Sequence, residues 1–185
     1  MIKYSELTLM DLDIYGSIPF KYTTDIVLKL EKVDNGLGGM LLSSQNVHYE
    51  KDFGNRVNHW KEMFNLSNWK IFGAYDGENL IAGCVVATRT NDVYMLENRD
   101  DLAVLWDLRV AEKYKHQGIG QNLFNMAKKF AIESNFNQLK VECQNTNYSA
   151  VKFYHKQGMV LSAINEYAYK DCPNEVQLIW YLDIK

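Results

Sequence analysis

Gly118 and Gly120 stand behind a short polar turn in the stretch VLWDLRVAEKYKHQGIGQNL, Val104 to Leu123. The apolar run ending at Val110 reads as a buried strand. An amphipathic period follows Gly120. Strand, glycine turn and helix N-terminus in that order form a cradle for a pyrophosphate. Glycines let backbone amides approach the anion, and the first turn of a helix offers unpaired N–H groups and the positive end of its dipole. Lys113, Lys115 and His116 add cationic character. The other use of two such glycines is tight packing of helix on strand, with no ligand. A P-loop is excluded, because no Gly-x-x-x-x-Gly-Lys-Ser/Thr occurs. The dinucleotide fingerprint fails as well, since Gln121, Asn122 and Leu123 follow Gly120.

Two acids sit inside apolar strand-like runs: Asp107 in Leu105–Leu108 and Glu142 in Leu139–Cys143. Burying a carboxylate without a partner costs several kcal/mol, so each needs a reason. If their strands are neighbours, both line one cleft. The alternatives are pairing with Arg109, Lys140 or a backbone amide, or exposure by strand alternation. Cys143 has no histidine beside it and reads as a core thiol. The tryptophans, Trp60, Trp69, Trp106 and Trp180, read as packing residues.

These groups need elements to hold them. Ile2–Leu7 reads as a strand, and Leu9, Leu12 and Tyr15 suggest a short helix. Thr24 or Asp25 is placed to cap a helix through Val27, Leu28 and Leu30. Gly36, Gly38 and Gly39 break the chain before a strand from Met40 to Tyr49. Arg56–Asn65 is read as helical. Lys70–Tyr75, Asp76-Gly77 and Leu80–Thr88 form a hairpin signature. A polar loop covers Asn91–Asp101, and Leu102–Val110 is the central strand. Leu123, Ala127, Phe130 and Ala131 share one face of a helix over about 118–134. After the strand Leu139–Cys143, Asn147 caps a helix through Ala150, Val151 and Tyr154, closed by Gly158. Strands over Val160–Tyr169 and Glu175–Leu182 complete an α/β or α+β pattern, a mixed sheet flanked by helices.

The 185 residues fit one domain at roughly 150 residues per domain. The net charge of −3 gives no basic field for nucleic acid. The N-terminus lacks the apolar core of a signal peptide, and no stretch has the length of a membrane span. Three unpaired cysteines fit a reducing, cytoplasmic setting, and the four histidines show no metal-ligand spacing.

Taken together, the motifs resemble the GNAT acetyltransferase superfamily. Leu108-Arg109-Val110, followed by Lys115-His116-Gln117-Gly118-Ile119-Gly120, is similar to its strand ending and its Gln/Arg-x-x-Gly-x-Gly/Ala turn. Lys115 stands where Gln or Arg is usual, keeping a cation but losing the planar fork. The family's later Asn and Tyr match Asn147 and Tyr154. Val141–Asn145, Phe153-Tyr154 and Glu175–Tyr181 look like the streptothricin acetyltransferase branch, whereas the first third does not follow it.

The resemblance implies a single GNAT-like domain. Its cofactor-binding core would be 70–185, and 1–69 a variable, acceptor-side region. It implies acetyl-coenzyme A as acetyl donor, bound by Leu108, Val110, Lys115, His116, Gln117, Gly118, Gly120, Gln121 and Asn147, with no metal. A small-molecule or peptide amine would be the acceptor, and a homodimer is left open. Tyr154 would protonate the departing thiolate. Deprotonating an alkyl amine of pKa near 10.4 at pH 7 costs roughly 4.6 kcal/mol, and Asp107 or Glu142 would help. A non-catalytic acyl-coenzyme A binding module on the same fold is the alternative. Family strands carry a bulge at this place, so strand parity stays open.

Overall fold

The computed structural model describes residues 1–185 and divides into two compact units. The first comprises Met1–Phe20, Phe53–Val141 and Asp183–Lys185. Its sheet has the order β1 (Ile2–Leu7), β4 (Lys70–Asp76), β5 (Asn79–Thr88), β6 (Leu102–Val110) and the start of β7 (Gln138–Gln144). The first three pairings are antiparallel. β6 and β7 run parallel, from Leu102–Gln138 to Leu105–Val141. A parallel pair needs a crossover, and α3 (Ile119–Glu133) supplies it. The expected hairpin turn is present, with Gly77 at φ +61°.

α3 packs on one face of this sheet. Phe72 meets Phe130 edge-on at 6.4 Å between ring centres, and the Cys84 thiol reaches the Leu123 carbonyl at 3.4 Å. The opposite face carries an apolar cluster contributed partly by α1 (Leu12–Gly16) and α2 (Val57–Met63). Tyr15, Trp60 and Trp69 are buried there with Ile71, Val85 and Val104. Tyr15 lies so close to β5 that a Cβ on Gly83 would stand 2.4 Å from its ring, so only glycine fits.

β6 carries one residue more than β5 between Val85–Asp107 and Val86–Leu105, and that residue is Trp106. The bulge puts two consecutive side chains on the same face. Trp106 packs on Trp69 and Phe64, at 5.2 and 5.4 Å, while Asp107 meets Tyr15.

The second unit comprises Lys21–Asp52 and Glu142–Leu182. β2 (Lys21–Lys32) and β3 (Met40–Asp52) form an antiparallel ribbon. The expected helix through Val27, Leu28 and Leu30 is therefore a strand. The run Tyr22, Thr24, Ile26, Leu28, Leu30 alternates with the exposed Lys21, Thr23, Asp25, Lys29 and Glu31. That period of two, interrupted by a bulge between Thr24 and Ile26 and by the buried Val27 but rich in β-branched side chains, outweighs the local helical spacing. α4 (Tyr148–Lys156) follows β7, and β8 (Val160–Asn165) pairs antiparallel with β9 (Gln177–Asp183). Asn145 ties this unit together. Its backbone accepts from Leu28 N–H and donates to the Val176 carbonyl, at 3.0 and 2.9 Å. Its amide side chain donates to the Leu28 carbonyl and accepts from Val176 N–H, each at 2.7 Å.

Candidate functional site

In the first unit, the segment from Leu108 to Gln121 holds eight of the residues expected at the cofactor. β6 ends at Val110, and the Ala111 amide is fixed to the Ile81 carbonyl at 2.9 Å. A single 3-10 turn over Glu112–Tyr114 follows, anchored by the Tyr114 hydroxyl on Asp76 at 2.8 Å. The chain then takes left-handed backbone at His116 (φ +61°) and again at Gly118 (φ +81°). Left-handed conformation costs a non-glycine residue on the order of 1 kcal/mol, and such strain gathers where backbone amides must be aimed.

Gly118 is the N-cap of α3, and no side chain caps the helix. The first helical bond runs from Asn122 N–H to the Gly118 carbonyl, so the amides of Gly118, Ile119 and Gly120 precede it. A Cβ on Gly118 would meet nothing within 4 Å. Packing therefore does not explain that glycine; its backbone conformation does. Lys115 forms an ion pair with Glu112 at 2.6 Å, and Gln117 donates to the Lys113 carbonyl at 2.9 Å. Gln121 bonds Asn125 at 3.2 Å along the helix.

Asp107 lies in the same unit, on β6, buried and fully engaged. Arg109 donates to it from Nε at 2.8 Å and from Nη2 at 2.5 Å, and the Tyr15 hydroxyl donates at 2.6 Å. Arg109 also donates to the Ile18 carbonyl and lies over the Tyr15 and Phe20 rings. Burial works against the guanidinium charge, but Asp107 outweighs it, and the Arg109 pKa is raised. Burial, reinforced by the Asp107 charge, raises the Tyr15 phenol well above its ordinary value. Arg109, one of the partners the sequence offered for this acid, is the one it pairs with.

In the second unit, Glu142, Asn147 and Tyr154 lie on the β7–α4 segment. Asn147 is the N-cap of α4, its Oδ1 accepting from Ala150 N–H at 3.1 Å. Tyr154 is buried in α4 and meets Phe153 edge-on. Gly158 (φ +80°) lies just past the helix end. Glu142 is half-buried and accepts from the Tyr169 hydroxyl at 2.5 Å and from Gln177 Nε2 at 2.6 Å. Burial, and then the Glu142 charge, raises the Tyr169 phenol far above its usual value, so it stays an O–H donor. Burial also pushes the neighbouring Cys143 thiol up to about 12, which suits a core thiol.

Several polar partners were not visible in the sequence. Glu175 is buried and accepts from Lys51 at 2.5 and 2.6 Å and from the Tyr49 hydroxyl at 2.5 Å. The Tyr22 hydroxyl meets that of Thr146 at 2.8 Å. Nothing local marks Glu175 as buried or Tyr169 as half-buried, because their partners lie far away in sequence.

Residues 40–159 match the acetyltransferase (GNAT) family, and the chain belongs to it. Among curated proteins, streptothricin acetyltransferase A of Bacillus subtilis (strain 168) is 34% identical over 86 residues, 45% of this chain. The streptothricin acetyltransferase of Escherichia coli is 26% identical over 113 residues, 60% of this chain. The chain spans 50% of the length of the first relative and 60% of the second. Among solved structures, a protein from Bacillus anthracis str. Ames, provisionally named a streptothricin acetyltransferase and determined with acetyl coenzyme A, aligns with a TM-score of 0.77. It is 28% identical, with 99% of each chain covered. Nourseothricin acetyltransferase shares the fold, with a TM-score of 0.79, 20% identity, and 100% of this chain and 99% of that one covered. No helix is long and apolar enough to cross a membrane.

Proposed function

We propose that this protein transfers the acetyl group of acetyl-coenzyme A to a primary amine of a small molecule or peptide, by direct attack in a ternary complex. The observation that carries this reading is the uncapped start of α3 behind β6, where left-handed Gly118 leaves open space and amides without helical partners. Acetyl coenzyme A in the Bacillus anthracis relative supports the choice of donor.

In this reading, the backbone of Leu108 and Val110 runs beside the donor's arm. The turn from Lys115 to Gln121 receives the pyrophosphate, with Gly118 and Gly120 giving access, and Asn147 sets the start of α4. The ammonium of the acceptor first loses a proton to Glu142, directly or through water. The amine then attacks the thioester carbon, the C–S bond breaks, and Tyr154 protonates the sulfur. Tyr154 regains its proton as the second N–H is lost. The net products are an amide, free coenzyme A and one proton. Asp107, already bound to three donors, supports β6 and α1 rather than receiving the amine proton.

The test is release of coenzyme A from acetyl-coenzyme A across a panel of streptothricin, polyamines, amino acids and peptides. Thiol release with one amine supports the reading. A melting temperature that rises with acetyl-coenzyme A while no amine releases thiol supports a non-catalytic binding module instead.

A further inference from the structure

A cavity of about 300 Å³ lies wholly within the first unit, where the loop after α2 meets the loop after β5. Thr88, the last residue of β5, pairs with Ala103 near the start of β6. The turn expected to hold the donor follows Val110, at the other end of that strand. The length of β6 thus sets the two places roughly 20 Å apart. The walls of the cavity are stitched together. Asn68 Nδ2 donates to the Arg89 carbonyl and Trp69 Nε1 to the Thr90 hydroxyl, each at 2.9 Å. The Thr90 hydroxyl in turn donates to the Thr88 carbonyl at 2.7 Å. A pocket already formed loses less free energy to ordering when a ligand enters.

The polar groups of this cavity do not satisfy one another. Arg89 and Asp92 both line it, yet they form no ion pair, and the Asp92 carboxylate has no partner in the protein. The Arg89 side chain makes a single hydrogen bond, a long one of 3.4 Å to the Ser134 carbonyl, and its guanidinium lies 4.5 Å from the centre of the Phe136 ring. Both residues hold left-handed backbone, at φ +41° and +67°. Arginine seldom takes that conformation, and such positions gather at ligand sites. Asn65 uses only its side-chain oxygen, on Ser67 N–H, and Asn68 only its NH₂ group. One amide therefore keeps its donors and the other its acceptor. Met63 and Phe64 give the cavity apolar surface.

This set selects among ligands. A guanidinium and an amide NH₂ suit a carboxylate, and a carboxylate and an amide oxygen suit an ammonium. A simple anion would be repelled by Asp92, and a simple cation by Arg89. A neutral sugar would leave both charges unmatched. A small zwitterion answers both. We propose that the cavity binds a free α-amino acid with an apolar side chain. Arg89 and Asn65 hold its carboxylate, Asp92 and Asn68 its ammonium, and Met63 and Phe64 meet its side chain. The site is separate from the donor turn and does not depend on acetyl transfer.

The experiment is calorimetric titration of L-leucine into the whole chain, beside N-acetyl-L-leucine, which lacks the ammonium, and L-leucine amide, which lacks the carboxylate. L-Leucine should bind about tenfold more tightly than either, or better. Asp92→Asn removes the charge, breaks no bond within the protein and places there a residue that accepts left-handed backbone. It should weaken L-leucine binding about tenfold or more, and Arg89→Gln should do the same. Nitrogen-15 NMR of the wild-type chain should show the largest amide shifts within 63–68 and 89–92. No binding of L-leucine, L-methionine or L-phenylalanine at up to about 10 mM overturns the proposal. L-Leucine affinity that is unchanged in Asp92→Asn, or amide shifts confined to Lys115–Gln121, places the ligand elsewhere and also overturns it. Equal affinity for N-acetyl-L-leucine overturns the assignment of a zwitterion. Thiol release from acetyl-coenzyme A is measured separately, so failure of one reading leaves the other standing.

Discussion

Arg109 grips Asp107 through two parallel hydrogen bonds, at 2.8 and 2.5 Å, two residues apart on the same strand and both out of water. Removing one member of a buried pair leaves the other charge unmatched, and that costs more than the intact pair contributes. Arg109→Leu should therefore lower stability by about 3 kcal/mol. Urea denaturation followed by circular dichroism measures this. A loss under 1 kcal/mol would mean that Tyr15 alone satisfies the acid.

At the α3 cap, Gly118→Val meets no steric block but must adopt φ +81°. A β-branched residue resists that backbone, so the turn should shift and acetyl-coenzyme A should bind at least tenfold more weakly. His116→Gly makes the opposite change at φ +61°: it removes strain and should leave affinity within about twofold. Calorimetry on both variants decides. Unchanged affinity in a folded Gly118→Val protein would remove this turn as the donor site.

Tyr154→Phe keeps a ring packed in α4 and deletes only the hydroxyl. If the phenol protonates the departing thiolate, kcat should fall by roughly tenfold to a thousandfold, with little change in donor affinity. Wild-type kcat under conditions where chemistry limits the rate would assign Tyr154 to packing alone.

Asp101 offers a test of pH-dependent stability. Its carboxyl is held down at about 2, first by the hydrogen bond from Arg99 and then by that from Asn137. A depressed carboxyl stabilises the fold fully above its unfolded value near 3.8, and the contribution disappears as pH falls through about 2. The difference in urea midpoint between wild type and Asp101→Asn should thus be constant near neutrality and shrink between pH 4 and pH 2. A difference that does not change with pH would show that the ion pair adds nothing.

What could be read from the chain was what its neighbours in sequence decide. Asp76-Gly77 needs only its own backbone to turn a hairpin, Asn147 caps the helix it begins, and Gly158 lies just beyond that helix. The turn at Gly118 belongs to the same class. The partners of the acids do not. Tyr15 reaches Asp107 across 92 positions, Tyr169 reaches Glu142 across 27, and Lys51 reaches Glu175 across 124. No local pattern encodes such meetings, because tertiary packing creates them. β2 lay between these cases: its alternation was present in the residues, but Val27 beside Leu28 imitates a helical stripe.

The extra residue at Trp106 acts like a shift of reading frame within β6. Upstream, even-numbered side chains such as Val104 face the α1–α2 side; downstream, odd-numbered ones do, Asp107 and Arg109 among them. Without that slip, Asp107 and Arg109 would turn together toward the layer of Leu123 and Phe124, away from the Tyr15 hydroxyl and the Ile18 carbonyl that also hold them. One inserted residue thus lets a single strand serve two grammars, apolar packing in its first half and an ion pair in its second. Each half can then change without rewriting the other, provided the total length between Leu102 and Val110 is kept.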